Sequence, residues 1–140
     1  MDRLRTGLAE LGRMGRIHAG NLAWRCPSVE LAAVTDADAG AAARAGAELG
    51  VPVAPDFDAL LSTVDAVVVA TPTGTHTELV TRAARAGKAV FCEKPVSLDR
   101  PATVDTLAAV AAAGVPFQVG FHRRFDPDWA AATERIRAGV

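Results

Sequence analysis

Leu4-Arg5-Thr6-Gly7-Leu8-Ala9-Glu10-Leu11-Gly12-Arg13-Met14-Gly15 is the stretch whose reading fixes the fold class. Leu4 to Ala9 has the pattern of a strand, a glycine-containing turn follows, and Met14 to Trp24 reads as a helix. Gly12 and Gly15 occupy the last two glycine positions of a G-x-G-x-x-G turn. One is where a backbone approaches a bound group closely, the other where helix packs on strand. A helix N-terminus behind such a turn offers unpaired amides and a partial positive charge to an anion such as a pyrophosphate. The first glycine position holds Glu10.

That substitution has a physical consequence. A side chain in a glycine-only backbone conformation costs about 1–3 kcal/mol. A carboxylate about 4–5 Å from a pyrophosphate charge adds up to roughly 4 kcal/mol at an effective dielectric of about 20. Micromolar affinity corresponds to only about 8 kcal/mol. Glu10 is therefore expected to weaken a dinucleotide by orders of magnitude, unless it swings to solvent or pairs with Arg13. Alone, two glycines of three fit an ordinary strand-to-helix turn at least as well.

The rest of the chain supplies context. Val29 to Thr35 reads as a second strand and Asp38 to Leu49 as a helix closed at Gly50 by a left-handed cap. A short strand at Val51–Val53 and a short helix from Phe57 to Leu61 follow. Val64 to Ala70 is apolar except for Asp65, as in a parallel strand covered on both faces. Thr75 to Glu78 reads as a capping box opening a helix that ends at Gly87, before a strand from Lys88 to Cys92. Asp99 is placed to cap a helix reaching Ala113, with Gly114 and Pro116 as stop signals. Phe117 to Phe121 is the last strand, and Asp126-Pro127 opens a final helix. About six strands alternating with helices imply an α/β fold: a doubly wound, Rossmann-like parallel sheet with helices on both faces.

Composition narrows the function classes. The 140 residues are 50% hydrophobic and 22% charged with a net charge of -1, which fits one globular domain and gives no basic field for nucleic acid. No apolar run reaches membrane-spanning length, and the N-terminus lacks the pattern of a signal peptide, so a cytoplasmic protein is expected. Cys26 and Cys92 have no metal or CxxC spacing and read as thiols in a reducing compartment. His18, His76 and His122 form no metal-ligand pattern; no metal is expected.

In a doubly wound sheet, ligands gather beyond the carboxyl ends of the strands. Asp36 follows the second strand, where a carboxylate can accept the hydroxyls of an adenosine ribose and repel a 2′-phosphate, favouring NAD over NADP; it can equally be a loop aspartate. Thr71-Pro72-Thr73-Gly74-Thr75-His76, Glu93-Lys94-Pro95 and Phe121-His122-Arg123-Arg124-Phe125 follow the later strands. Lys94 is the candidate for chemistry, since a partly desolvated lysine can move a proton near neutral pH; a solvated strand-end lysine is the alternative. His76 sits in a helix's first turn, so a structural role is as well founded as a binding one. Solvated helix-entry residues remain the plainer reading of Arg123 and Arg124.

These segments, with the glycine turn, resemble the N-terminal domain of the glucose-fructose oxidoreductase, inositol dehydrogenase and rhizopine-catabolism family, written Gfo/Idh/MocA. Val90-Phe91-Cys92-Glu93-Lys94-Pro95 matches its E-K-P signature. Gln118 to Asp126 resembles the inositol 2-dehydrogenase branch, which commonly has methionine where His122 stands. The resemblance spans the chain and implies NAD(P)-dependent hydride transfer between nicotinamide and a sugar or cyclic polyol such as myo-inositol. It implies that Lys94 contacts the substrate hydroxyl, that Glu93 orients it, and that the Lys94–Pro95 bond is cis. It also implies that Gly12, Arg13, Met14, Gly15, Asp36, Thr71, Pro72, Thr73, His76 and Glu93 line the NAD site.

Full-length members continue into a second domain that supplies an aspartate and a histidine and mediates homo-oligomerisation. Residues 1–140 are therefore expected to be the dinucleotide-binding domain, with 122–140 as the crossover toward a missing domain and the chain truncated. Two alternatives stay open: a dinucleotide-binding or partner-completing module without turnover, and an inactive remnant.

Overall fold

The computed structural model describes residues 2–140. Five parallel strands form one sheet: β1 (Leu4–Ala9), β2 (Val29–Thr35), β3 (Ala66–Val69), β4 (Ala89–Cys92) and β5 (Phe117–Val119), in the order β2-β1-β3-β4-β5. The helices are α1 (Arg13–Trp24), α2 (Ala39–Leu49), α3 (Phe57–Ser62), α4 (Thr73–Arg85), α5 (Arg100–Ala113) and α6 (Pro127–Arg137), with a 3-10 turn at His122–Phe125.

The strand expected at Val51–Val53 is reduced to a single parallel bridge between Val53 and Val34. Proline at position 52 has no amide to donate to a ladder, although its carbonyl accepts from Val34. Placing that bridge beyond β2 gives the strand order of a dinucleotide-binding sheet, with winding reversed between β1 and β3.

Side-chain alternation divides the core between the sheet's two faces. Val67 and Val69 pack with Phe57, Leu60, Val80 and Val110. Leu8, Val34 and Val68 pack with Leu11, Ala19, Ala42 and Ala45 under α1 and α2. β3, buried at all four residues, is the continuous apolar run its sequence suggested. Asp65 lies just outside it, its backbone tied to Arg5 and Ala89.

Helix boundaries follow local chemistry. Asp38, Asp56, Asp99 and Asp126 each accept backbone amides at an N-cap, and Gly50 and Gly114 close α2 and α5 at φ 68 and φ 66. The capping box at Thr75–Glu78 does not form. The N-cap lies three residues earlier, at Pro72, and α4 begins at Thr73, which places Thr75 inside the first turn. Its hydroxyl donates to Thr71 Oγ1 at 2.8 Å and lies 2.9 Å from the Pro72 carbonyl, while Glu78 accepts from Arg82 one turn on. The strand expected to reach Phe121 stops at Val119, because the chain tightens there into the 3-10 turn. Among the described residues no helix is long and apolar enough to cross a membrane.

Candidate dinucleotide and substrate site

All five strands run parallel, so the chain emerges from β1, β2, β3 and β4 at one end of the sheet. The ends of β1 and β4 are separated only by β3, about 10 Å at normal strand spacing. Glu10 to Gly15, Asp36, Thr71 to His76 and Glu93 to Pro95 are thereby gathered around the reversal of winding.

The turn after β1 has the shape its glycines require. A Cβ on Gly15 would lie 1.9 Å from the Glu10 carbonyl oxygen, so only glycine lets α1 pack this closely. Gly12 is the N-cap of α1, with no side chain bonded to the helix start and no acidic residue in its first turn. That leaves the helix N-terminus to an external anion. Arg13 and Met14 are exposed on this first turn.

Glu10 has φ 80, and no other described non-glycine residue has positive φ; the first glycine position does demand a left-handed backbone. Its Oε1 lies 3.5 Å from where a Cβ on Gly12 would be. Burial, Asp36 and Asp38 push its pKa above the ordinary carboxylate value. No ion pair joins it to Arg13 among the described residues.

Asp36 has two backbone partners. Its Oδ2 accepts from the Leu11 amide at 2.7 Å and its Oδ1 from the Asp38 amide at 2.7 Å. The carboxylate thus braces the glycine turn from the end of β2, and its remaining acceptor capacity faces the cleft that it lines with Glu10, Thr71 and Pro72.

Two histidines organise the lysine-bearing loop. His18, on α1, places Nε2 2.7 Å from Glu93 Oε1 and its ring edge-on to Phe91 at 5.2 Å. Glu93 Oε2 accepts the Lys94 amide at 3.1 Å, so this carboxylate faces inward and holds the loop. Gly120 makes room for it: a Cβ there would lie 3.0 Å from Phe91 and 3.3 Å from Glu93. His76 is 1% exposed. Its Nδ1 lies 2.7 Å from the Pro95 carbonyl and its Nε2 2.7 Å from the Thr71 carbonyl.

Of the two roles open to His76, this geometry supports the structural one, tying the β3 end to the loop after β4. His18's partner has no signature in either local pattern, because the pair spans 75 positions.

The Lys94–Pro95 bond is cis. Lys94 is exposed and lines an open cleft with Phe121, His122, Arg123 and Arg124. No carboxylate lines this cleft among the described residues. Arg124 stacks on Phe121 and Arg123 on Trp129. Cys92 is buried and donates to the Glu93 carbonyl; burial pushes its thiol up to about 12, which makes it unreactive. Among the described residues no group of three His, Cys, Asp or Glu could hold a metal.

The chain is similar to known proteins along most of its length. Residues 4–121 match the oxidoreductase family described as an NAD-binding Rossmann fold. An inositol 2-dehydrogenase of Rhizobium meliloti is 41% identical over 97% of this chain and 41% of its own length. A scyllo-inositol 2-dehydrogenase (NAD(+)) of Bacillus subtilis is 39% identical over 97% of this chain and 41% of its own length.

The crystal structure of scyllo-inositol dehydrogenase from Lactobacillus casei with bound NAD(H) and scyllo-inositol superposes with a TM-score of 0.93. It is 37% identical, and the match covers 99% of this chain and 42% of that one. The chain thus spans about two fifths of the length of the relatives it matches. It belongs to the Gfo/Idh/MocA oxidoreductase family, whose NAD-binding Rossmann fold it carries.

Proposed function

We propose that residues 1–140 form the NAD-binding domain of an oxidoreductase acting on a sugar or cyclic polyol, with Lys94 as the residue that moves the substrate proton. The observation carrying this reading is the convergence of the Gly12–Gly15 turn, Asp36 and the Lys94 loop at the reversal of winding. The residues fit a dinucleotide in three respects: an uncapped helix N-terminus, a glycine at closest packing, and a carboxylate at the end of β2. They oppose it in one, Glu10.

Bound NAD would supply the hydride acceptor. Arg13 and Met14 would flank the pyrophosphate, Asp36 would hold the adenosine ribose, and Thr71, Pro72 and Thr73 would wall the cleft toward the nicotinamide. Glu93 and His76 would act one step back, fixing the direction from which Lys94 meets a hydroxyl. The hydroxyl's proton would pass to the Lys94 amine, and the positive field of the resulting ammonium and two arginines would favour the alkoxide, whose carbon gives its hydride to NAD. Full turnover would draw its carboxylate from outside these residues, and assembly into an oligomer would follow from the same completion.

Calorimetric titration with NADH and NADPH tests the reading. NADH is expected to bind weakly, Glu10→Gly to tighten it, and NADPH to bind neither protein because Asp36 repels its extra phosphate. With NAD and myo-inositol, the 140-residue chain is expected to form no NADH. Equal NADH affinity in the two proteins would refute the Glu10 defect, and failure of Glu10→Gly to bind NADH would refute the dinucleotide site.

A further inference from the structure

Glu10 is held where a pyrophosphate has to approach. Its amide donates to the Thr35 carbonyl at 2.8 Å, its φ is 80, and its Oε1 stands over Gly12. The charges facing it are mostly of one sign. Asp36 and Asp38 approach from the connection between β2 and α2, and Asp56 and Glu78 line the same cleft from the start of α3 and from α4.

Among the described residues no lysine or arginine lines that cleft. Nearby cations have other partners: Arg16 pairs with Glu48 at 2.9 Å, and Arg82 with Asp58 and Glu78 at 2.7 and 3.0 Å. Arg44 lies over the first turn of α2 beside Asp38, and Arg13 is exposed on α1. His76, beneath the cleft, has both ring nitrogens against backbone carbonyls.

We propose that Glu10 makes dinucleotide binding proton-coupled, the pyrophosphate being taken up together with one proton that neutralises this carboxylate. The proposal rests on the dinucleotide reading above. With its backbone pinned, Glu10 has two ways to admit a phosphate: its side chain rotates into solvent, or its carboxylate binds a proton. The second is prepared, because burial and two aspartates already raise this carboxyl's pKa in the free protein. A phosphate charge arriving at the same place favours it further.

The sign follows from linkage. Glu10 is more basic in the complex than in the free protein, so binding is strongest below the free-state value. It weakens as pH rises toward the bound-state value, by up to about tenfold per pH unit for one proton. A neutral glutamic acid would also donate its hydroxyl to a phosphate oxygen. No electron is transferred, and the proton comes from the buffer.

The test is NADH titration by calorimetry across pH, in buffers of different ionisation enthalpy, with fluorescence of bound NADH as a second readout. The expected result is close to one proton absorbed per NADH by the unmodified chain, with affinity rising as pH falls. Glu10→Gln and Glu10→Gly should bind more tightly, with no net proton uptake and a flat pH profile. Flat, buffer-independent binding by the unmodified chain beside a tighter Glu10→Gly would overturn the proposal and leave the dinucleotide site standing. So would an unmodified chain that fails to bind under acid while Glu10→Gly binds. Absence of NADH binding in Glu10→Gly at every pH would overturn both.

Discussion

At Glu10 an L-residue occupies φ 80, where contact between Cβ and the backbone costs about 1–2 kcal/mol. Glycine removes that strain but loses more backbone entropy on folding, about 0.5–1 kcal/mol. Glu10→Gly is therefore expected to gain about 1 kcal/mol or slightly less, read as a raised urea midpoint at constant slope. Glu10→Gln separates charge from strain. The acid's pKa is raised in the folded chain by burial, Asp36 and Asp38, so the unmodified protein loses stability as pH climbs from the unfolded value to the folded one. Glu10→Gln should match it in acid and exceed it at neutral pH; a gap that opened toward acid instead would reverse the sign of the argument. The conflict at position 10 was legible because a glycine turn is a local backbone requirement. The bond from His18 to Glu93 was not, since nothing within either segment's pattern names a partner 75 positions away.

Element by element, the apolar runs of β1, β2 and β3 announce themselves because each is buried along most of its length. Val51–Val53 misleads: its side chains read as strand, yet it contributes one bridge. Thr75–Glu78 misleads in the opposite sense, since Pro72, immediately before Thr73, fixes an earlier helix start and turns a cap motif into part of a first turn. The consequence is His76, which α4 carries into the interior to join the ends of β3 and β4. His76→Ala would leave a cavity and remove the ring that stands between the Thr71 and Pro95 carbonyls, including the one N–H a neutral imidazole donates to them. A loss of about 2–4 kcal/mol is expected, with faster amide exchange concentrated in 71–76 and 93–96. A uniform rise in exchange across the sheet, or a loss well under 1 kcal/mol, would show that His76 fills space without tying the loops.

Over the whole molecule, stability is concentrated in the two cores that sandwich the sheet. α6 takes part in neither. It has no buried residue, and Trp129 and Ile136 remain 51% and 75% exposed, as does Phe125 in the preceding turn at 75%. Its internal support is an aspartate cap, a proline in the first turn and Arg123 stacked on Trp129. A helix of 11 residues with that much support is marginal in water. Its pattern was easy to read for the same reason that it adds little: capping is local chemistry, whereas burial is decided by what lies opposite. Removing residues 126–140 should therefore shift unfolding free energy by no more than about 1 kcal/mol. In the intact chain, amides of 130–137 should exchange by local opening, long before those of β1 and β3. NADH affinity should be unchanged by the deletion, because the glycine turn, Asp36 and the Thr71–Thr73 wall follow β1, β2 and β3, and no α6 residue is among those lining the cleft beside them. A cooperative loss of several kcal/mol, or protection of α6 equal to that of the central strands, would mean that the helix belongs to the folding unit after all.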